Sequence, residues 1–245
     1  MSGLNVPVLG DAPDSPFPDP ADALREPDGL LAIGGDLEPV RLLNAYGHGI
    51  FPWFSEGQPP LWWSPDPRTV FRTDNVATSR RFRRSLKSSP WTVRADTAFD
   101  SVVAACALIP RPGQRGTWIT PAMESAYVRL HAEGHAHSVE TWDGDELIGG
   151  VYGVAIGRMF FGESMFSRRP DGSKVALAGL AHRLHHWGWP LIDAQVENPH
   201  LVSLGAQLWP RARFLEAMAA LVDAPAPPGS WTAAFGELDS AALAR

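Results

Sequence analysis

From about residue 67 onward, apolar and polar positions along the chain fall into runs of period two and runs of period 3.6, and each change of period marks an element. Thr69 to Phe71 reads as a strand, about Ser79 to Lys87 as a helix, and Trp91 to Arg94 as a strand. After Asp96, Phe99, Val102, Val103 and Cys106 share one helical face. Thr120-Pro121 supplies an N-cap and a first-turn proline. Tyr127, Leu130 and His131 keep helical spacing, and Gly134 can close that helix in the left-handed conformation. Ala136 to Trp142, Glu146 to Ile156 and Arg158 to Phe166 are strand-length runs joined by Asp143-Gly144 and Gly157, which predicts an antiparallel meander of two hairpins. Gly172 to Trp187 is then predicted as a helix, Pro190 to Val196 as a strand, Pro199 to Ala206 as a short helix and Phe214 to Val222 as a final helix.

The first 66 residues differ, being rich in Pro and Gly, with one helix from Glu38 to about His48 opened by Pro39 and closed by Gly49. The two prolines of Trp62-Trp63-Ser64-Pro65-Asp66-Pro67 break regular structure and place a domain boundary near residue 66. The expectation is an α+β protein with a small loop-rich N-terminal domain over 1–66, a mixed-sheet domain over 67–230 and a loose C-terminal tail over 231–245. A meander followed by a helix and a further strand is a sheet of the kind used by N-acyltransferases, one of several architectures compatible with this pattern.

Composition changes this picture little: at 245 residues, 44% hydrophobic and 20% charged, the chain can build a real core and is neither disordered nor fibrous. No apolar run approaches the roughly 20 residues that cross a bilayer, and the first twenty residues lack a basic start with an apolar stretch, so a cytoplasmic protein without a membrane partner is expected. The single cysteine, Cys106, excludes an internal disulfide and a cysteine-rich metal site. Charge adds more. The net -6 conceals a positive middle: residues 67–129 carry 11 basic and 4 acidic side chains, against 2 and 10 over residues 1–66. Arg80, Arg81, Arg83, Arg84 and Lys87 cluster within that segment, where a polyanion would bind; the plainer reading is a solvated helix face.

Candidate chemistry is concentrated late in the chain. Glu163 lies within Phe160-Phe161-Gly162-Glu163-Ser164-Met165-Phe166, a carboxylate among apolar neighbours that needs a partner if buried. Strict alternation sends Phe161, Glu163 and Met165 to one face, and Phe160 and Phe166 to the other. Asp193 and Gln195 stand two apart on a predicted strand and share a face, so the carboxylate can hold the amide with its oxygen aimed outward; a wet sheet edge would give the same spacing. His131, His135 and His137 are close in sequence, but Gly134 interrupts the helix between them, so no metal site is expected. Cys106 falls on a packed stripe and reads as core. Trp53 and Trp118 each follow a glycine or proline break that can present a ring at a cleft, where a purine could stack.

Together, several strings resemble the leucyl/phenylalanyl-tRNA–protein transferases of bacteria. They are Glu26 to Leu37, Gly49-Ile50-Phe51-Pro52-Trp53-Phe54, Trp62 to Arg68, Gly116-Thr117-Trp118-Ile119, His135 to Glu140, Gly162 to Ser167, Ile192-Asp193-Ala194-Gln195 and Ser203-Leu204-Gly205-Ala206, in family order. The resemblance implies a small N-terminal domain before a Gcn5-related N-acyltransferase-type catalytic domain. It implies transfer of leucine or phenylalanine from aminoacyl-tRNA to proteins beginning with Arg or Lys, marking them for degradation by the N-end rule, without a cofactor. It also implies catalytic roles for Asp193 and Gln195, with Glu163 beside the reacting groups and Trp53 and Trp118 around the aminoacyl-adenosine. Ala194 stands where the family often has cysteine, and Gly172 where alanine is common. Phe160, Gly162, Ser164 and Met165 are expected to line the donor's binding pocket.

The chemistry agrees with that implication, because an α-amine with a pKa near 7.7–8.0 is partly free at neutral pH and needs positioning more than a strong base. Gln195 would orient the amine while Asp193 stabilises its developing charge. An acyl-CoA-dependent acyltransferase would need a pyrophosphate loop, which Arg169 to Lys174 satisfies only in part; an RNA-binding adaptor would leave Glu163, Asp193 and Gln195 idle.

Overall fold

The computed structural model describes residues 6–76, 79–109, 117–226 and 229–244. Gly116 of the Gly-Thr-Trp-Ile string lies outside them.

The N-terminal unit holds more order than its composition suggests. Besides helix α1 (Pro39–Gly47), four short strands, β1 (Val8–Leu9), β2 (Leu30–Gly34), β3 (Phe51–Pro52) and β4 (Leu61–Trp63), form one sheet in the order β1-β2-β4-β3. Strands of two to five residues flanked by prolines show no readable alternation, which is why only the helix was legible.

The larger unit is an eight-stranded mixed sheet crossed by helices. In chain order it runs β5 (Arg68–Arg72), α2 (Arg80–Ser88), β6 (Thr92–Ala95), α3 (Phe99–Leu108), α4 (Pro121–Ala132), β7 (Ala136–Asp143), β8 (Glu146–Ile156), β9 (Met159–Ser167), α5 (Gly172–His186), β10 (Leu191–Gln195), α6 (Pro199–Ser203), β11 (Gln207–Trp209), α7 (Arg211–Val222), α8 (Trp231–Phe235) and β12 (Leu238–Asp239). The strand order is β11-β5-β10-β9-β8-β7-β6-β12, and only the β9–β10 pair is parallel. The predicted meander is β7-β8-β9. Thr120 caps α4 as the sequence predicts, accepting from Met123 N, and Gly134 sits at φ +81°; Ser79, read as the approximate start of a helix, proves to be the cap of α2, accepting from Phe82 N.

Two apolar layers hold the sheet. On one face α5 packs Val175, Leu177 and Leu180 with Phe71, Val139, Phe160 and Ile192. On the other, α1, α3, α4 and α7 pack with Tyr152, Phe161 and Phe166. Residues 231–244 are not a loose tail. Phe235, Leu238 and Leu243 are buried in the α5 layer, and β12 extends the sheet beside β6. Their elements are too short to carry a period and become stable only through what they cover.

Candidate functional site

The site begins with two β-bulges in neighbouring strands. In β9 the register to β8 jumps from Gly153↔Gly162 to Tyr152↔Ser164, so Glu163 is an extra residue with no partner. Gly153 is required opposite it, because a Cβ there would lie 2.1 Å from Phe161 O. In β10 the register to β5 jumps from Asp193↔Val70 to Gln195↔Thr69, making Ala194 the extra residue and putting Gln195 at φ +60°. The β9–β10 ladder ends at Asp193↔Phe161. Each bulge resets the alternation of its strand. Phe161 and Phe166 therefore share one layer, and Phe160 and Met165 pack in the other. This corrects the strict alternation, which paired Phe160 with Phe166.

The bulged residues meet. Gln195 Nε2 donates to Glu163 Oε1 at 2.8 Å, Tyr46 Oη reaches the same oxygen at 2.7 Å, and Tyr127 Oη reaches Oε2 at 2.5 Å. Burial pushes the Glu163 carboxyl up to about 7 despite the pull of these three hydrogen bonds, with nearby Asp193 adding to the rise. Because the amide nitrogen is spent on Glu163, Gln195 has its amide oxygen left as an acceptor.

Asp193 is placed differently from expectation. Its side chain is fully buried, taking Arg68 Nε and Nη2 at 2.8 and 2.7 Å and Gln195 N at 3.0 Å. Arg68 in turn lies between the rings of Phe51 and Phe214, 4.9 and 4.8 Å from their centroids. Asp193 thus holds the main chain of Gln195 rather than its amide, and its charge is answered by Arg68.

Glu163 and Gln195 stand where two cavities meet. One is a cleft of about 310 Å³ whose wall includes Phe51, Trp53, Trp118 and Glu197. The other, of about 90 Å³, is apolar and bounded by Phe71, Val151, Met165, Leu177, Leu180 and Ile192, with Gly162 and Ser164 at its edge. The two tryptophans come together as expected. Phe160 is fully buried and lines neither cavity; it packs inside the α5 layer, 5.8 Å from the ring of Trp231. Arg80, Arg81, Arg83, Arg84 and Lys87 are all exposed on α2, which is anchored by buried Phe82 and Leu86, and among the described residues none has an ion-pair partner. Tyr46, Tyr127 and Arg68 were missed: all three read as ordinary helix or strand positions, and the signal available was that a buried phenol or guanidinium needs a partner.

A second polar cluster lies away from the cleft. Asp96, His131 and His137 converge, with Asp96 rather than His135 as the third member. His137 Nδ1 donates to Asp96 Oδ2 at 2.8 Å, Ser138 N to Oδ1 at 2.8 Å, and His131 Nδ1 to Ala136 O at 2.8 Å. Phe99 stacks on His131 at 4.1 Å and Trp231 on His137 at 4.0 Å. The donor atoms nearest one another are already committed to protein partners, so this set does not suit a metal.

Fold and site together define a class: mixed-sheet α+β proteins that set an acid and an amide between an aromatic cleft and an apolar pocket. The leucyl/phenylalanyl-tRNA protein transferase profile matches residues 70–219, and the profile of that family's N-terminal domain matches residues 35–66. A leucyl/phenylalanyl-tRNA–protein transferase of Xanthomonas campestris pv. campestris (strain 8004) is 67% identical over 237 residues, covering 97% of this chain and 95% of that protein. Another, from Xylella fastidiosa (strain 9a5c), is 63% identical over 230 residues, 94% of this chain and 95% of the relative. The solved L-PGS of Bacillus licheniformis aligns at TM-score 0.36 and 10% identity over 76% of this chain and 58% of its own, too distant to carry an argument. The chain belongs to the leucyl/phenylalanyl-tRNA protein transferase family.

Proposed function

We propose that this protein moves leucine or phenylalanine from aminoacyl-tRNA to the α-amine of proteins that begin with Arg or Lys, forming a peptide bond. The observation that carries the reading is the meeting of Glu163 and Gln195 at the junction of the two cavities. The donor's apolar side chain enters the smaller cavity, and its terminal adenosine lies against Trp53 and Trp118. The acceptor amine approaches through the larger cleft, where the Gln195 amide oxygen takes one of its hydrogens and aligns it on the ester carbonyl. Asp193, fixed by Arg68, holds Gln195 in its left-handed backbone conformation. The exposed cations of α2 bind the tRNA backbone.

Residues 67–230 are read as an acyltransferase domain of Gcn5-related type, supported by the mixed sheet in which α5 links the parallel pair β9 and β10. The N-terminal unit, taken as 1–66, supplies Tyr46 and Trp53 to the site. The loop Arg169 to Lys174 gives an acyl-CoA-dependent reaction little support. Arg169 engages Asp143 and Glu146, Lys174 engages Asp171 at 2.6 Å, and Ser173 N donates to Ser167 Oγ at 2.8 Å, so the groups a pyrophosphate would need are in use.

The test is transfer from radiolabelled leucyl-tRNA to a peptide beginning with Arg, scored against the same peptide beginning with Met. Label on the Arg peptide alone is expected; no transfer to either would overturn the reading. Replacing Arg80, Arg81, Arg83 and Arg84 with Ala should flatten the salt dependence of tRNA binding, and an unchanged slope would remove α2 from the interface.

A further inference from the structure

Glu163, Tyr46 and Tyr127 form a closed triangle: each phenol oxygen contacts one carboxylate oxygen, and the two phenol oxygens are 2.8 Å apart. Each of these contacts needs one hydrogen. Burial holds both phenols well above their ordinary pKa, so they remain protonated and bring two hydrogens between them. With Glu163 ionised, both hydroxyls donate to the carboxylate, and the phenol oxygens face each other with no hydrogen between them. With Glu163 protonated, the carboxyl donates to Tyr127, Tyr127 to Tyr46, and Tyr46 back to Oε1, and the triangle is complete. The cluster is built to take up one proton.

The cluster also has room for the donor of that proton. A carboxylate offers about four acceptor positions. Tyr46, Gln195 and Tyr127 occupy three, leaving one on Oε2, and Glu163 lines the cleft. The other titratable or charged groups that bear on it are Tyr152 from β8, packed edge-on to Tyr127, Asp193 from β10, whose charge is answered by Arg68 of β5, and Glu197 on the cleft wall.

Resting on the transfer reaction proposed above, we propose that Glu163, Tyr46 and Tyr127 are its proton-accepting group. The acceptor arrives as an ammonium ion and gives one proton to Glu163 Oε2. The free amine attacks the ester carbonyl and the C–N bond forms. The ester C–O bond breaks, and a second amine proton leaves on the ribose oxygen. One ester and one ammonium thus become one amide, one hydroxyl and one proton, which Glu163 holds until it passes to water. Glu163 is the catalytic residue here, and Tyr46 and Tyr127 position and share its proton.

The test is the pH profile of kcat/KM for an Arg-initiated peptide between about pH 5.5 and 9, with ester hydrolysis subtracted. The wild type should give a bell, its acidic limb near 7 from Glu163 and its alkaline limb at about 7.7–8.0 from the amine. Glu163→Gln cannot take the proton, so its rate should follow the free amine alone, rising to a plateau with no alkaline fall. Tyr127→Phe keeps the carboxylate but opens the triangle, so the acidic limb should move by about one unit while the alkaline limb stays. A bell retained in Glu163→Gln, or an acidic limb unmoved in Tyr127→Phe, overturns the proposal. If the Gln variant loses all transfer, Tyr127→Phe decides alone. Wild-type protein inactive at every pH would overturn the parent reading and this proposal with it.

Discussion

Two clusters of buried and half-buried ionisable side chains are built on one sheet, and they have opposite designs. In the Asp96–His131–His137 cluster both carboxylate oxygens are taken, both Nδ1 atoms have acceptors, and stacked rings of Phe99 and Trp231 cover the imidazoles. The Glu163 cluster is open on one side, holds one hydrogen too few when ionised and faces two cavities. Satisfied and covered, polar groups lock a fold; left one partner short at a cleft, they are available for chemistry.

Four measurements can break or sharpen that contrast. The largest effect is expected from Glu163→Gln, which should lower transfer at neutral pH by about 10²- to 10⁴-fold while thermal stability changes little. A loss of stability as large as the loss of rate would make Glu163 a second structural lock. Asp96→Ala should do the reverse. Removing two hydrogen bonds at a residue held at φ +57° should cost about 2–4 kcal/mol in urea unfolding and leave kcat of the folded protein unchanged. A selective loss of kcat would erase the contrast.

The third measurement is linkage. Glu163 titrates near 7 in the fold and near 4.3 in an unfolded chain. Between those values the native state keeps a proton that the unfolded state has lost, so rising pH weakens the fold, by up to about 4 kcal/mol. Burial pushes Glu140 upward as well, so the useful quantity is wild type minus Glu163→Gln. That difference should fall between pH 5 and 7.5, and a flat difference would mean that Glu163 is already ionised at pH 5. The smallest effect is expected from Trp231→Ala, which uncovers His137 and should cost about 2 kcal/mol without touching the pH profile of transfer.

The sequence was most readable where period and function do not conflict. The meander, the cap at Thr120 and the stop at Gly134 follow from local rules and are found in place. The residues of the site were legible as types, Glu163 as an acid in an apolar run and Gln195 as an amide two residues from Asp193. Their orientation was not, since alternation fails at the two residues that the bulges insert. Gly162 beside Glu163 was a hint, a glycine inside a strand being a common mark of a bulge; Ala194 gave none. Ala194 is also where the family often has cysteine, and the structure makes it the inserted residue of β10. Gly172, the other departure, is explained by crowding, as a Cβ there would lie 2.5 Å from Ile148 O. Partners such as Tyr46, 117 residues from Glu163, are set by tertiary packing that no local pattern carries.

The burial of Arg68 bears on motion. Its guanidinium is gripped by Phe51 of the N-terminal unit, Phe214 of α7 and Asp193 of β10. Swinging the N-terminal unit away as a hinged body would strip one wall from a buried ion pair and let water reach it, a cost of several kcal/mol. The N-terminal unit and the sheet are therefore expected to move as one block. In amide exchange, the backbone at Phe51 and at Gln195 should open in the same cooperative event, and the rim of the cleft should open far more often.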